Sequence, residues 1–147
     1  MITVRDLLKG KGNEIWSVKP NDPVLKALDL MAEKDIGALL VMDGDKLRGI
    51  VSERDFVRSI AETEKCLIDA AVSHYMTKVV ITVEPGQSID DCMNLMTDHH
   101  IRHLPVVENE RIIGLISIGD VVKAIIHSKE STIHHLEDYI EGRGYGQ

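Results

Sequence analysis

The segment Ser17–Ile60 lies on the segment Thr82–Ile125 without a gap, at a constant shift of 65 residues. In that register Pro20 falls on Pro85, Leu30 and Met31 on Leu95 and Met96, and Ile36 on Ile101. Leu39 falls on Leu104 and Val41 on Val106. The most demanding match is Gly-x-x-Ser-x-x-Asp, which reads "GIVSERD" from Gly49 and "GLISIGD" from Gly114. A duplicated unit constrains the fold strongly, because whatever one copy forms the other must form too. A unit of about 50 residues buries too little surface to be secure alone, so the copies are expected to pack sheet against sheet as one module.

Each copy reads as β-α-β-β-α. After "KPNDP", Val24, Leu28 and Met31 recur at helical spacing, and Pro23 suits a first helical turn. "ALLVM" (Ala38–Met42) is a short aliphatic run of the kind a buried strand needs, "DGDK" supplies a turn, and "LRGIV" a second strand. Ser52 is then the expected N-cap of a helix carrying Phe56, Val57 and Ile60. The second copy predicts a helix over Ile89–His99, strands over Leu104–Val107 and Ile112–Ile116, and a helix from Ser117. Beyond it, Ile133, Leu136 and Ile140 mark one apolar stripe that Gly142 would end. This helix either folds back on its own module or offers a contact for a second copy or another protein.

Composition removes several function classes. The chain has 147 residues, a formal net charge of −7 and only 3% aromatic residues. A nucleic-acid backbone needs a concentrated basic face and single strands need stacking platforms, and both are missing. No apolar run approaches the roughly 20 residues that span a bilayer. "MITVRDLLKGKGNEIW" lacks an apolar core with a cleavage site, so a cytoplasmic protein is expected. Cys66 and Cys92 are too few for a disulfide framework and read as small buried hydrophobes. His99, His100 and His103 invite a metal reading, but the predicted helix ends near His100, and no Cys or carboxylate completes a set. His134 and His135 are adjacent on a helix and face apart, so no metal is expected there either. No nucleophile–base pair or Walker-type loop marks an enzyme, and no catalytic residue is assigned.

The duplicated motif admits two physical readings. Ser52 or Ser117, at a strand-to-helix junction, offers a hydroxyl beside the free N–H groups of a first helical turn, where an anion is favoured. Asp55 or Asp120, one turn on, could accept from both hydroxyls of a ribose. The same Ser-x-x-Asp is also a capping box, with the carboxylate folded back on the Ser backbone. Spacing alone favours the cap.

With these residues in view, the duplicated unit resembles the CBS (cystathionine β-synthase-type) domain, and the chain resembles a CBS pair, or Bateman module, over Val4 to about Ile126. "IGALLV", "SERD", "RHLPV" and "LISIGDVVKA" carry the likeness, and "TVRDLL" and "AVSHYM" resemble the lead-ins before each half. The resemblance implies an α/β (α+β) fold of tandem repeats related by a pseudo-two-fold. It divides the chain into a first CBS domain with its lead-in (1–62), a linker and second lead-in (63–78), a second CBS domain (79–127), and a C-terminal helix and tail (128–147).

It also implies a regulatory module, sensing energy or redox state for an unidentified regulated protein, that binds adenosine nucleotides in clefts between the two repeats, each half supplying one cleft, with no catalytic cofactor. Adenine would lie against Ser17, Val18, Ala38 and Leu39 in one half, and against Thr82, Val83, His103, Leu104 and Pro105 in the other. Ser52 with Asp55, and Ser117 with Asp120, would hold the phosphate side and the ribose. Arg102 and His103 stand where the first half has Gly37 and Ala38, and Arg54 stands where the second has Gly119, so the clefts should not be equivalent. Few cations per cleft rank AMP and NAD(H) ahead of ATP, with ADP and S-adenosylmethionine also placed behind them. A histidine at the phosphate implies tighter binding of anions as pH falls below about 6.5. In this family the helical faces usually meet a second pair, so a homodimer is expected, with some of Leu25, Leu30, Phe56 and Ile60 facing the partner. The competing readings are an adaptor with vestigial clefts and, behind it, an enzyme.

Overall fold

The computed structural model describes residues 1–66 and 68–140, with side-chain environments through residue 129. The first repeat runs β1 (Ser17–Val18), α2 (Val24–Lys34), β2 (Ala38–Asp43), β3 (Lys46–Ser52) and α3 (Glu53–Thr63), preceded by α1 (Val4–Lys11). A single 3₁₀ turn (Val72–His74) leads to the second repeat: α4 (Ile89–His99), β4 (His103–Glu108), β5 (Arg111–Ser117) and α5 (Ile118–Ile140). β1 runs parallel to β2, which pairs antiparallel with β3, and β4 pairs antiparallel with β5. The duplication extends to irregularities. Each hairpin has a register shift at the matching place, Val41/Met42 and Val106/Val107, and α2 and α4 both end on a left-handed residue, Asp35 and His100.

The second repeat lacks a full first strand. Val83 makes only an isolated parallel bridge to Val106, where β1 forms a two-residue ladder. The cause is one residue. In the first repeat the Leu40 N–H donates to the Trp16 carbonyl at 3.4 Å. Its counterpart is Pro105, which has no N–H to donate, so the ladder stops at Val83. Pro23 is also one step from its expected place: it is the N-cap of α2, in extended conformation, and Val24 is the first helical residue.

Two apolar clusters form the core, and the lead-ins are exchanged between them. Val4, Leu7 and Leu8 of α1 are buried with Leu104, Val106, Ile116 and Val121 of the second repeat. Val72 is buried with Val18, Leu39, Val41, Val51 and Phe56 of the first, with Met76 packed alongside. The motif glycines make room for this. A Cβ on Gly49 would lie 2.7 Å from the Thr77 carbonyl oxygen, and one on Gly114 would lie 2.8 Å from the Leu8 side chain. Each repeat therefore completes its core with the segment that precedes the other.

Two expectations change, for Phe56 and Cys66, and that for Cys92 holds. Phe56 is only 5% exposed and packs against Tyr75 with ring centroids 5.8 Å apart, so it serves the core and not a partner. Cys92 is buried, and burial, with Asp91 nearby, pushes its thiol up to about 11. Cys66 is exposed, because it lies in the connection after α3 and not on a packed face. The backbone of α5 continues without a break from the repeat through Ile140, while the side chains of His134, His135 and the stripe Ile133, Leu136 and Ile140 lie outside the described residues, as does Gly142.

Candidate functional site

Two cavities lie where the repeats meet. One, of about 450 Å³, is lined by Trp16, Ile36, Gly37 and Ala38 of the first repeat and by Leu115, Ser117 and Asp120 of the second. The other, of about 370 Å³, exchanges the contributions: Ile81, Ile101, Arg102 and His103 come from the second repeat, and Ile50, Ser52 and Asp55 from the first. These are equivalent positions at the 65-residue shift. Each cavity thus combines the strand start of one repeat with the Ser-x-x-Asp of the other. This corrects the expectation that the strand start and the Ser-x-x-Asp of one half line the same cleft. The reason is the pseudo-two-fold packing, which faces the helix start of one copy toward the strand start of its mate.

Both motifs form their capping boxes. The Ser52 N–H donates to Asp55 Oδ2 at 2.8 Å, and the Asp55 N–H donates to Ser52 Oγ at 3.3 Å. The Ser117 N–H donates to Asp120 Oδ2 at 2.8 Å, and the Asp120 N–H donates to Ser117 Oγ at 3.2 Å. The capping and ligand readings do not exclude one another. Each carboxylate spends Oδ2 on the cap, while Oδ1 makes no hydrogen bond among the described residues. Structurally, the N–H of Glu53 is held by the Gly37 carbonyl at 3.0 Å and that of Ile118 by the Arg102 carbonyl at 2.8 Å, which ties each helix start to the loop before a middle strand.

Charge separates the two cavities. Around Asp120 stand Lys11, Lys34, Glu14 and Asp35. Lys11 Nζ lies 2.6 Å from Asp120 Oδ2 and also donates to the Leu115 carbonyl. Burial pushes the Asp120 carboxyl up, but the Lys11 hydrogen bond and charge and the Ser117 contacts outweigh it and hold it below its usual value. Lys34 Nζ sits 4.3 Å from the centre of the Trp16 ring. Around Asp55 stand Arg54, Arg58 and Arg102, with Glu53 the other acid. Arg54 Nη1 donates to the His100 carbonyl at 3.4 Å across the repeat boundary. The guanidiniums of Arg58 and Arg102 have no hydrogen bond or ion pair among the described residues. Arg54 and Arg102, expected in different clefts, therefore share one, and the premise of few cations per cleft fails for it.

His103 and Gly37 line both cavities, and a Cβ on Gly37 would lie 3.9 Å from the His103 ring. Burial first, then the charges of Lys11 and Arg102, hold the imidazole below its usual 6.5, with Asp120 opposing them. His99 closes α4, His100 takes the left-handed cap, and His103 opens β4, so the three do not share a helix face.

The remaining assigned residues lie elsewhere. Val18, Leu39, Val83 and Leu104 are core residues, Pro105 is fully buried, and Ser17 and Thr82 line neither cavity. At the five buried positions only backbone could serve a ligand directly, whereas Ser17 and Thr82 have exposed side chains. Sequence reasoning missed Lys11, Trp16 and Arg58. Arg58 was findable, four residues after Arg54 on one helix face. Trp16 immediately precedes an assigned position. Lys11 was not, because nothing local says that α1 docks on the opposite repeat.

Comparison with known proteins places this architecture. A mitochondrial CBS domain-containing protein, CBSX3 of Arabidopsis thaliana, is 36% identical over 97% of this chain and 73% of its own length. The solved structure of a putative signal-transduction protein with CBS domains from Burkholderia ambifaria MC40-6 is 51% identical, with a TM-score of 0.81 over 85% of this chain and 94% of that one. The structure of CBSX2, solved in complex with AMP, is 30% identical, with a TM-score of 0.73 over 88% of this chain and 99% of its own. The CBS domain sequence pattern itself matches residues 4–62 and 72–127, the two repeats each with a lead-in, and the chain accordingly belongs to the CBS domain family.

Proposed function

We propose that this chain is a regulatory module that binds adenosine nucleotides in its two inter-repeat clefts and performs no chemistry of its own. The observation that carries the reading is the pair of equivalent cavities. Each sets a capping-box Asp with an unused oxygen against an apolar strand start from the other repeat. A ribose would use Asp55 or Asp120, and the base would lie toward Ile81 and Ile101 or toward Trp16, Ile36 and Ala38. The phosphate would meet Arg54, Arg58 and Arg102 in the Asp55 cleft. Cavities of 370 and 450 Å³ fall in the range usual for small-molecule sites.

AMP heads the ranking, supported by the AMP complex of the related CBSX2, with NAD(H) next. The three arginines remove the charge argument against ADP and ATP in the Asp55 cleft. No helix among the described residues is long and apolar enough to cross a membrane, and we place the module in the cytoplasm. Calorimetric titration of the chain with AMP, NAD, NADH, ATP, S-adenosylmethionine and adenosine tests the reading. Binding of none of them leaves the adaptor reading in possession.

The module is proposed to act as a homodimer. Leu25 of α2, Val57 and Ile60 of α3, and Val122 and Ile126 of α5 are exposed apolar residues, more than one packed stripe needs. Light scattering at micromolar concentration should give twice the 16.4 kDa chain mass, and the monomer mass with and without nucleotide would refute it.

A further inference from the structure

We propose that Lys11 is a built-in competitor for the Asp120 carboxylate, so that the Asp55 cleft fills first and the Asp120 cleft opens only when Lys11 lets go. The inference rests on the nucleotide-binding reading and adds an order to it. Lys11 Nζ, 2.6 Å from Asp120 Oδ2, also donates to the Leu115 carbonyl, so the ammonium stands inside the cleft. Oδ2 is already shared with the Ser117 N–H at 2.8 Å. A ribose arriving there meets a carboxylate whose charge is compensated and whose approach is partly filled. Charge-assisted hydrogen bonds are the strong ones, and a ribose hydroxyl cannot match an ammonium as a donor.

The other cleft has no such occupant. The lead-ins correspond through Val4 and Val72, both fully buried, and through Leu8 and Met76, which both face a motif glycine. In that register the counterpart of Lys11 is Val79, which lines the Asp55 cleft, is 86% exposed and has no charge to offer. Among the described residues, Asp55 accepts only from Ser52.

Two features let the lock open. Lys11 is the last residue of α1, flanked by Gly10 and Gly12, and Gly12 closes the helix at φ 96°, where glycine is at ease. Lys11 and Asp120 also line a second, more open groove of about 980 Å³ between α1 and α5. The ion pair is thus the partition between cleft and groove, and the groove is the space into which the lysine side chain can withdraw.

Trp16, the single tryptophan of the chain, lines the Asp120 cleft, so its fluorescence reports that cleft alone. Adenosine is the clean probe, because it has no phosphate to take up the displaced ammonium. In the full chain, Lys11→Met should tighten the adenosine Kd read from Trp16 by about tenfold, the scale of one charge-assisted hydrogen bond. Lys11→Gln should do the same, which guards against a local effect of methionine. AMP binding at the Asp55 cleft, measured by calorimetry in an Asp120→Ala background at pH 8, where the His103 imidazole is neutral with or without the Lys11 charge, should not change when Lys11→Met is added. A Trp16-reported Kd that is unchanged or weaker in both variants, with AMP still binding at the Asp55 cleft, overturns the lock alone. No heat with AMP or adenosine in any variant overturns the lock together with the nucleotide reading.

Discussion

In the Asp120 cleft an ammonium from α1 already holds the carboxylate, and the two lysines around it are matched by two further acids, Glu14 and Asp35. In the Asp55 cleft the matching lead-in position is Val79, and three guanidiniums face the space instead. The two share the capping box, the register shift in the hairpin and the left-handed helix end, and differ in backbone where Pro105 cuts short the first strand of the second repeat. Duplication has kept the parts that set backbone geometry and let the exposed side chains diverge. The difference teaches that a pseudo-symmetric scaffold need not give equivalent sites. Backbone positions are held by packing, whereas a residue pointing into a cleft is free to change charge at little cost to the fold.

The strongest way to break this comparison is to remove each carboxylate in turn. Asp55→Ala should weaken AMP by about 1–3 kcal/mol, the loss expected for a charge-assisted partner. Asp120→Ala should change the tightest AMP binding by no more than a few-fold, since that cleft starts out locked. Equal losses by calorimetry would make the clefts equivalent. Both variants also lose half of a capping box, so each should unfold about 0.5–1 kcal/mol more easily in urea.

A smaller effect sharpens the charge difference. Arg102→Ala should weaken AMP by about fivefold to tenfold, in line with one hydrogen bond to a charged group, and leave adenosine nearly untouched. Equal losses for the two ligands would remove Arg102 from the phosphate.

The smallest effect is a shift in titration at the residue the clefts share. By NMR, His103 in the free chain should titrate below 6.5. The unfolded chain then takes up the proton more readily than the folded one. His103 therefore contributes stability that is present above pH 6.5 and lost as pH falls toward its depressed folded value. A bound phosphate favours the imidazolium, so AMP affinity should rise as pH falls through the same range. Lys11→Met removes one of the charges that hold the imidazole down, so its midpoint should move up. A midpoint at or above 6.5 in the free chain would mean that burial does not govern this ring.

Much of the scaffold was legible before any coordinates. The limits of α4 follow from its apolar spacing and from Ser88, whose Oγ accepts the Asp91 N–H at 3.0 Å. The Ser-x-x-Asp boxes are local devices whose partners lie within three residues. The register shift in each hairpin was not legible, and the first strand expected in the second repeat is reduced to the Val83–Val106 bridge, because Pro105 stops a ladder only against a segment distant in the chain. The motif residues Ser52, Asp55, Ser117 and Asp120 were found because their chemistry is complete within one turn of helix. Phe56 and Cys66 were misplaced because burial depends on what lies opposite, and neither partner nor solvent is written beside the residue.

Sequence alone determined the repeat, the order of elements and the two carboxylates at the helix starts, since each rests on contacts between near neighbours. Only the tertiary structure decided which half of each cleft belongs to which repeat. It alone set Arg54, Arg58 and Arg102 in one cleft, left Trp16 in the other, and brought Lys11 onto Asp120 across 109 residues of chain. Those pairings follow from the pseudo-two-fold and from lead-ins that cross to the opposite repeat. Hydrophobic burial drives both, and it records how much surface is covered without saying in the sequence which segment will cover it.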